Sequence, residues 1–126
     1  MLARVVDVRL TNVVIDCSDP RELSAFWSAL TGVPIRHAFD DWVSLEPMDG
    51  GVRIAFQKVP EPKTVKNRVH MDLSAEDQET TAREIVATLG ARRLWVSEDP
   101  DDPFVVLADP EGNEFCIVRR PAGERC

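Results

Sequence analysis

Apolar residues along the chain follow one pattern, and this pattern occurs twice. In each copy a stretch of alternating polar and apolar residues, typical of a β-strand, precedes apolar residues spaced i, i+3, i+4, i+7, which predict one buried face of a helix. The helical residues are Leu23, Phe26, Trp27 and Leu30 in the first copy and Ala82, Ile85, Val86 and Leu89 in the second. A glycine, Gly32 or Gly90, follows each predicted helix and supplies its C-terminal stop. The repetition predicts an internal duplication.

Three short β-rich runs follow each predicted helix, and turn sequences at 49–51 and 109–112 separate the last two runs of each copy. The predicted order is therefore β-α-β-β-β, twice. Module one covers about 8–59 and module two about 66–119, with a proline-punctuated linker between them. At 126 residues the chain is expected to be a single α+β domain spanning 1–126.

A helix covers only one face of each four-stranded sheet, which leaves a second face, here called the free face, turned away from the helix. In the strand predicted over 68–73, alternation buries Val69, Met71 and Leu73 and turns the residues between them to the free face. The same rule yields the candidate ligand-binding residues Asn12, Asp16, Trp42, Arg53, Gln57, His70, Asp72 and Cys116. We expect them to line one pocket. A sheet with one face in water shows the same alternation, so a solvated face is the alternative.

Charge and composition exclude several classes of partner. Fifteen basic and twenty-two acidic residues give a net charge of −7, which repels nucleic acid and anionic lipid. We found no apolar run near the roughly 18 residues of a membrane span and no signal-peptide pattern, so we expect a cytoplasmic protein without membrane or nucleic-acid partners. The three cysteines, Cys17, Cys116 and Cys126, are odd in number and scattered, which favours reduced thiols.

Three segments resemble the vicinal oxygen chelate superfamily, which contains glyoxalase I, extradiol dioxygenases, and fosfomycin- and bleomycin-resistance proteins. They are Val14 to Gly32, with its Ala25-Phe26-Trp27 core, Asn67 to Leu73, and the Asp109 to Cys116 segment with its Asp-Pro-Glu-Gly-Asn turn. The ensemble is similar to glyoxalase-like domains. This resemblance implies a glyoxalase/bleomycin-resistance-type fold with a concave mixed sheet that holds the pocket, and a homodimer.

In metal-using members of this superfamily, four ligands come from the first and fourth strands of the two modules. The resemblance carries these positions to Asn12, Gln57, His70 and Cys116, of which His70 alone is an ordinary ligand of an expected type. Neutral amides neither offset the charge of a dication nor move a proton, and a Cys and His pair with two amides falls short of the usual zinc sets. We therefore expect no cofactor, and keep a divalent metal on these four residues as the alternative.

These residues favour a protein that binds a small organic molecule, aromatic or cationic, without a catalytic metal. Trp42 offers a stacking surface, and Arg53, Gln57 and His70 offer polar anchors. One alternative is a metal-dependent lyase or isomerase in which the candidate catalytic residue, His70, is a metal ligand or a general base. Another is a structural dimer module. Trp95 and Phe39 are candidate contacts of the homodimer, with exchanged or unexchanged pairing of the modules left open.

Overall fold

The computed structural model describes Ala3 and residues 5–119, so Cys126 lies outside the described residues. Within them the chain forms two helices and eight strands in the expected order. The elements are β1 (Asn12–Cys17), α1 (Pro20–Thr31), β2 (Ile35–Ala38), β3 (Trp42–Leu45), β4 (Arg53–Lys58), β5 (Met71–Ala75), α2 (Gln78–Leu89), β6 (Arg92–Val96), β7 (Phe104–Ala108) and β8 (Glu114–Arg119). The predicted α+β architecture of two βαβββ modules is confirmed.

Each module forms its own four-stranded mixed sheet. The strand orders are β1-β4-β3-β2 and β5-β8-β7-β6. In both sheets the first strand of the module pairs in parallel with the last, and the other pairs are antiparallel. This pairing places β1 and β5 at the ends of their sheets, so that each has one edge that no strand of its own sheet covers.

Both helices begin and end where the capping residues predict. Asp19 accepts a hydrogen bond from the backbone N–H of Glu22 (3.1 Å), and Pro20 occupies the first turn of α1, where its missing N–H costs nothing. Gly32 ends α1 with a φ of 74°, in the left-handed region that side chains disfavour. Asp77 caps α2 in the same way. Neither helix of the described chain has the length and apolar character of a membrane span.

One hydrophobic core joins the two modules. It contains apolar side chains from both helices and from the helix-facing sides of both sheets. At its centre the rings of Phe26, Trp27 and Phe115 meet edge to face, with centroids 5.0 to 6.0 Å apart. Trp27 Nε1 also donates a hydrogen bond to Oδ2 of the buried Asp109 (2.9 Å). Because Trp27 belongs to module one, and Phe115 and Asp109 belong to module two, these contacts join the modules.

The strand predicted over 68–73 begins later than expected. β5 starts at Met71, and Val69, which alternation placed under the helix, is 76% exposed. A competing contact explains the difference, because the backbone N–H of Asn67 donates to Oε1 of Glu114 (3.0 Å). The segment before β5 is therefore hydrogen-bonded to a side chain of β8 and does not join the sheet.

Replacing Trp27 with Phe tests the joint between the modules. The variant removes the N–H donor of the buried Asp109 carboxylate and also empties part of the space that the buried indole fills, so we expect a loss of about 2–4 kcal/mol in the free energy of unfolding. Urea denaturation measures it. The matched control is Trp95→Phe, at a half-exposed tryptophan, which should change stability by less than about 0.5 kcal/mol. Equal losses in the two variants would show that the Trp27 bond contributes little.

Candidate functional site

The free face of the first sheet carries three rows of side chains, which the strand register sets side by side. The rows are Asn12 with Arg53, then Val14 with Ala55 and Ser44, then Asp16 with Gln57 and Trp42. In the middle row Ala55 and Ser44 are buried, whereas the polar residues of the outer rows are half-buried or exposed. The small side chains of Ala55 and Ser44 therefore form the floor of this face, between the two polar rows.

The first row holds an oriented guanidinium. Arg53 Nε donates a hydrogen bond to Asn12 Oδ1 (3.0 Å), and the parallel register of β1 and β4 brings the two residues together. The bond engages the amide oxygen that a metal would need from Asn12. It also fixes Arg53 on the free face, where a guanidinium can bind a carboxylate or stack on an aromatic ring.

The third row combines an acid, an amide and an indole. Asp16 and Gln57 are exposed, and Trp42 is half-buried opposite Gln57. The indole offers a flat apolar surface, the Gln57 amide both donates and accepts hydrogen bonds, and the Asp16 carboxylate attracts a cation. Alternation along the strands predicted all five of these first-sheet residues on one face, and the register agrees with it.

The free face of the second sheet is mainly apolar, contrary to the polar face that alternation predicted. Phe104, Val106, Cys116 and Val118 form a buried cluster there, and Trp95 meets Phe104 edge to face at 5.3 Å. The reason is β7, whose sequence is apolar at every position and buried along its whole length. Such an uninterrupted apolar run is typical of a strand covered on both faces.

His70 and Asp72 lie beside this apolar cluster. His70 Nε2 is 3.4 Å from Oδ1 of Asp72, and β5 and β8 place Asp72 in register with Cys116. One ligand atom from each of the three residues lies within 4.8 Å of the others. The structure thus brings together His70, Asp72 and Cys116 as one group, while Asn12, Asp16, Trp42, Arg53 and Gln57 form another on the first sheet.

The expectation of reduced thiols is wrong for Cys116, which is disulfide-bonded. A disulfide sulfur is not a thiolate, so in this form it brings no negative charge to a metal. Cys17 is a free, buried cysteine. Burial, and after it the nearby carboxylates of Glu111 and Asp16, raise the pKa of the Cys17 thiol to about 11. Cys17 is therefore uncharged at neutral pH and a poor nucleophile.

The four positions that the family resemblance implies for a metal do not fit one in this arrangement. Asn12 is engaged by Arg53, Gln57 is a neutral amide, and Cys116 is not a thiolate. The described strands of the two sheets are not hydrogen-bonded to each other, and Asn12 and Gln57 belong to a different sheet from Cys116. The group of His70, Asp72 and Cys116 has the spacing of a metal site, but metal binding would need the Cys116 sulfur as a thiolate.

A cavity of about 1210 Å³ lies beside β1. Residues 13–19 line it, together with residues 59–70, here called the strap, and the turn between β7 and β8. Asp16 and His70 both line this cavity, so it receives one residue from each candidate group. Sequence reasoning missed the strap as a lining segment of the cavity, since its prolines indicated only a linker.

Glu114 anchors the strap to β8. Its carboxylate accepts hydrogen bonds from the backbone N–H of Asn67 (3.0 Å) and pairs with Lys63 Nζ (3.1 Å). Partial burial raises the pKa of Glu114, but the Asn67 hydrogen bond, a bond from its own backbone and the Lys63 charge outweigh this effect, so the pKa lies below its usual value. The ionised carboxylate therefore stabilises this position of the strap.

The chain belongs to the glyoxalase-like domain family, whose model matches residues 12–118. Among solved structures, a glyoxalase/bleomycin resistance protein/dioxygenase family enzyme from Burkholderia phytofirmans PsJN is similar with a TM-score of 0.70 and 21% identity, over 89% of this chain and 98% of that one. A bleomycin-binding protein from Streptomyces verticillus, complexed with copper(II)-bleomycin, has a TM-score of 0.62 and 18% identity, over 95% and 100%.

The fosfomycin resistance protein FosX from Mesorhizobium loti is also similar, with a TM-score of 0.66 and 11% identity, over 91% of this chain and 93% of that one. No curated protein is significantly similar to this chain in sequence. The structural similarities establish the fold, and the predicted membership of the vicinal oxygen chelate superfamily is confirmed.

The strap anchor predicts a pH dependence of stability. Because the pKa of Glu114 is lowered in the folded state, its contribution is fully present above the unfolded value of 4.5 and is lost as the pH falls through the folded pKa. Glu114→Gln should lower stability by roughly 1–2 kcal/mol at neutral pH and flatten the loss below about pH 5. Urea unfolding from about pH 3 to 7 measures both effects. The role would be contradicted if the free energy of unfolding of Glu114→Gln fell with acid as steeply as that of wild type and of the exposed-site control Glu98→Gln.

Proposed function

We propose that this protein binds a small organic molecule, aromatic or cationic, on the free faces of its sheets, without a resident catalytic metal. The observation that carries the proposal is the first-sheet face, where Arg53, held by Asn12, and the row of Asp16, Gln57 and Trp42 flank a floor of small buried residues. A flat ligand that lies between the two polar rows contacts both of them at once. The bound bleomycin of the Streptomyces verticillus protein supports a ligand of this kind.

The apolar face of the second sheet supports an amphipathic ligand. The cluster of Phe104, Val106, Cys116 and Val118 offers apolar surface, and His70 with Asp72 offers polar atoms at its margin. Ligand pockets are mostly apolar with a few placed polar groups, and the two faces together have this composition. We therefore propose that one pocket uses residues of both groups.

A metal-dependent lyase or isomerase that uses His70 is the second candidate function. The spacing of His70, Asp72 and Cys116 favours it. Against it stand the disulfide at Cys116 and the two amides at the remaining family positions, which leave a metal with little compensating charge. If a divalent metal does bind, we propose that His70 and Asp72 hold it, with Cys116 joining after reduction.

We also propose that the protein is a homodimer. Trp95 and Phe39 are 52% and 58% exposed, which suits them to an apolar contact between protomers. Two-fold dimers are the commonest assemblies of soluble proteins, and a second copy would bring a second-sheet face to the first-sheet face of its partner. A cytoplasmic location stays a prediction.

Trp42 provides the test of ligand binding. Titration with N-methylquinolinium, a flat aromatic cation, should quench tryptophan fluorescence in wild type, and Trp42→Ala should weaken binding about tenfold because it removes the stacking surface. Glu98→Gln, at an exposed loop residue that belongs to neither candidate group, is the control. If Trp42→Ala binds the probe as wild type does, the first-sheet face is not the binding site.

Added metal should have little effect on thermal stability. A ligand present at about 100 times its Kd adds about 2.7 kcal/mol to the stability of a folded protein, so a resident metal would raise the melting temperature by several degrees. We expect Zn²⁺, Ni²⁺ and Mn²⁺ to shift it by less than about one degree, with and without reductant. A shift of several degrees that His70→Ala abolishes would favour the metal-dependent candidate.

Sedimentation equilibrium at micromolar concentration tests the assembly. The homodimer predicts a single species of about 28 kDa, twice the chain mass of 14.1 kDa. Replacement of both Trp95 and Phe39 by Ser should raise its dissociation constant, since the variant removes two apolar contacts. A wild-type species at the chain mass would contradict the dimer.

A further inference from the structure

The free face of the first sheet extends across β3 to β2. His37 pairs with Ser44, and Ser44 pairs with Ala55 on its other side, so His37 continues the middle row to the edge of the sheet. Residues that stand opposite each other in an antiparallel pair point their side chains to the same face. His37 therefore lies on the free face beside Ser44, which is 4% exposed.

Phe39 continues the third row in the same way. Ala38 pairs with Val43. One residue further along the hairpin, the backbone N–H of Phe39 donates to the carbonyl of Trp42 (2.7 Å), so these two residues stand opposite each other. The rings of Phe39 and His37 are stacked, with centroids 6.2 Å apart and planes at 18°. Phe39 is 58% exposed, so its ring is open to a ligand beside the indole.

Four side chains of the β2–β3 hairpin thus stand at the corners of one patch, here called the hairpin block. Trp42 and Phe39 form its aromatic end, and Ser44 and His37 form its polar end. Neighbouring strands lie about 4.8 Å apart, and alternate residues of one strand lie about 7 Å apart. These dimensions suit an aromatic ring with one polar substituent. Periodicity did not reveal the block, because β2 is exposed at every position and so shows no buried face.

Arg36 determines which nitrogen of His37 can donate a hydrogen bond. Arg36 Nε donates to His37 Nε2 (3.3 Å), so Nε2 is the acceptor and the proton of the neutral ring lies on Nδ1. The hydroxyl of Ser44, in register with His37, is a second donor. In the described part of the chain no hydrogen-bonding partner engages His37 Nδ1 or the Ser44 hydroxyl. The polar end therefore offers two donors to a ligand.

We propose that the hairpin block binds an aromatic ligand that carries a carbonyl or carboxylate oxygen. The ring stacks on Trp42 and Phe39, and the oxygen accepts hydrogen bonds from His37 Nδ1 and Ser44 Oγ. This inference rests on the proposed binding of a small molecule to the first-sheet face and selects its chemical class. A cation without an acceptor oxygen would cover the two donors and leave them unsatisfied, which costs binding free energy.

The charges around the hairpin block admit such an oxygen. Arg36 lies 3.7 Å from Glu46, and Arg21 lies 3.3 Å from Asp40, so an arginine compensates each of these carboxylates. Asp41, in the turn, has no ion pair among the described residues and repels an anion more than a neutral carbonyl. Carbonyl and carboxylate ligands therefore have to be compared directly.

Calorimetric titration with two probes that share one ring system tests the proposal. 2-Acetylnaphthalene carries a neutral carbonyl and 2-naphthoate carries a carboxylate, and we expect wild type to bind at least one of them. His37→Phe keeps a ring beside Phe39 but removes the Nδ1 donor, so it should weaken this binding about tenfold. His37→Asn retains a side-chain N–H donor and should bind within about threefold of wild type. Glu98→Gln, at an exposed loop residue, is the control.

Ser44→Ala is an independent test of the polar end. It removes the second donor without adding volume, and it should weaken binding of the same probe by about tenfold. Circular dichroism and sedimentation equilibrium show whether each variant keeps the fold and the assembly of wild type. If a His37 variant does not, the Ser44→Ala result decides the question.

The outcomes separate this inference from the proposed function. Weaker probe binding in His37→Phe and Ser44→Ala, with recovery in His37→Asn, supports the hairpin block. Wild-type affinity in His37→Phe and Ser44→Ala, or no recovery in His37→Asn, overturns the role of the donors. If wild type binds N-methylquinolinium but neither oxygen-bearing probe, the ligand class is wrong and the proposed binding face stands. If it binds none of the three, the proposed function fails, and this inference with it.

Discussion

The buried contact of Trp27 with Asp109 and Phe115 lies at the centre of the core that joins the two modules. Asp109 also accepts bonds from Glu111 N and from the backbone and side chain of Asn113, so its buried charge is compensated. The same turn carries Glu111, which accepts bonds from Ser18 at the entrance of α1. One turn of module two is thereby tied to the helix of module one.

A duplicated pattern has produced two faces of different chemistry. The first-sheet face keeps the alternation of its strands, and its polar rows flank a floor of small residues. The second-sheet face lost its polar character because β7 is apolar throughout. A ligand that contacts both faces meets hydrogen-bonding groups on one and a hydrophobic surface on the other. Ligand pockets commonly combine these two kinds of surface.

Sequence reasoning succeeded where local interactions decide the structure. The helices could be predicted from the i, i+3, i+4, i+7 spacing of apolar residues, the Asp19 cap and the Gly32 stop. These signals act within a few turns of the same segment. It failed at Val69, which continues an unbroken alternation and is nevertheless exposed, because Glu114 captures the backbone of Asn67 from 47 residues away. It failed also at Cys116, since cysteine spacing alone does not reveal a disulfide.

By itself the sequence determined the two modules, their helices, the facing of β1 and β4, and the candidate residues of the first-sheet face, all of which follow from periodicity. Only the tertiary structure decided that Arg53 is held by Asn12, 41 residues away in sequence, and that the strap lines the cavity beside β1. These features depend on side chains that are distant in sequence and on a buried joint between modules. Periodicity within one strand contains no information about either.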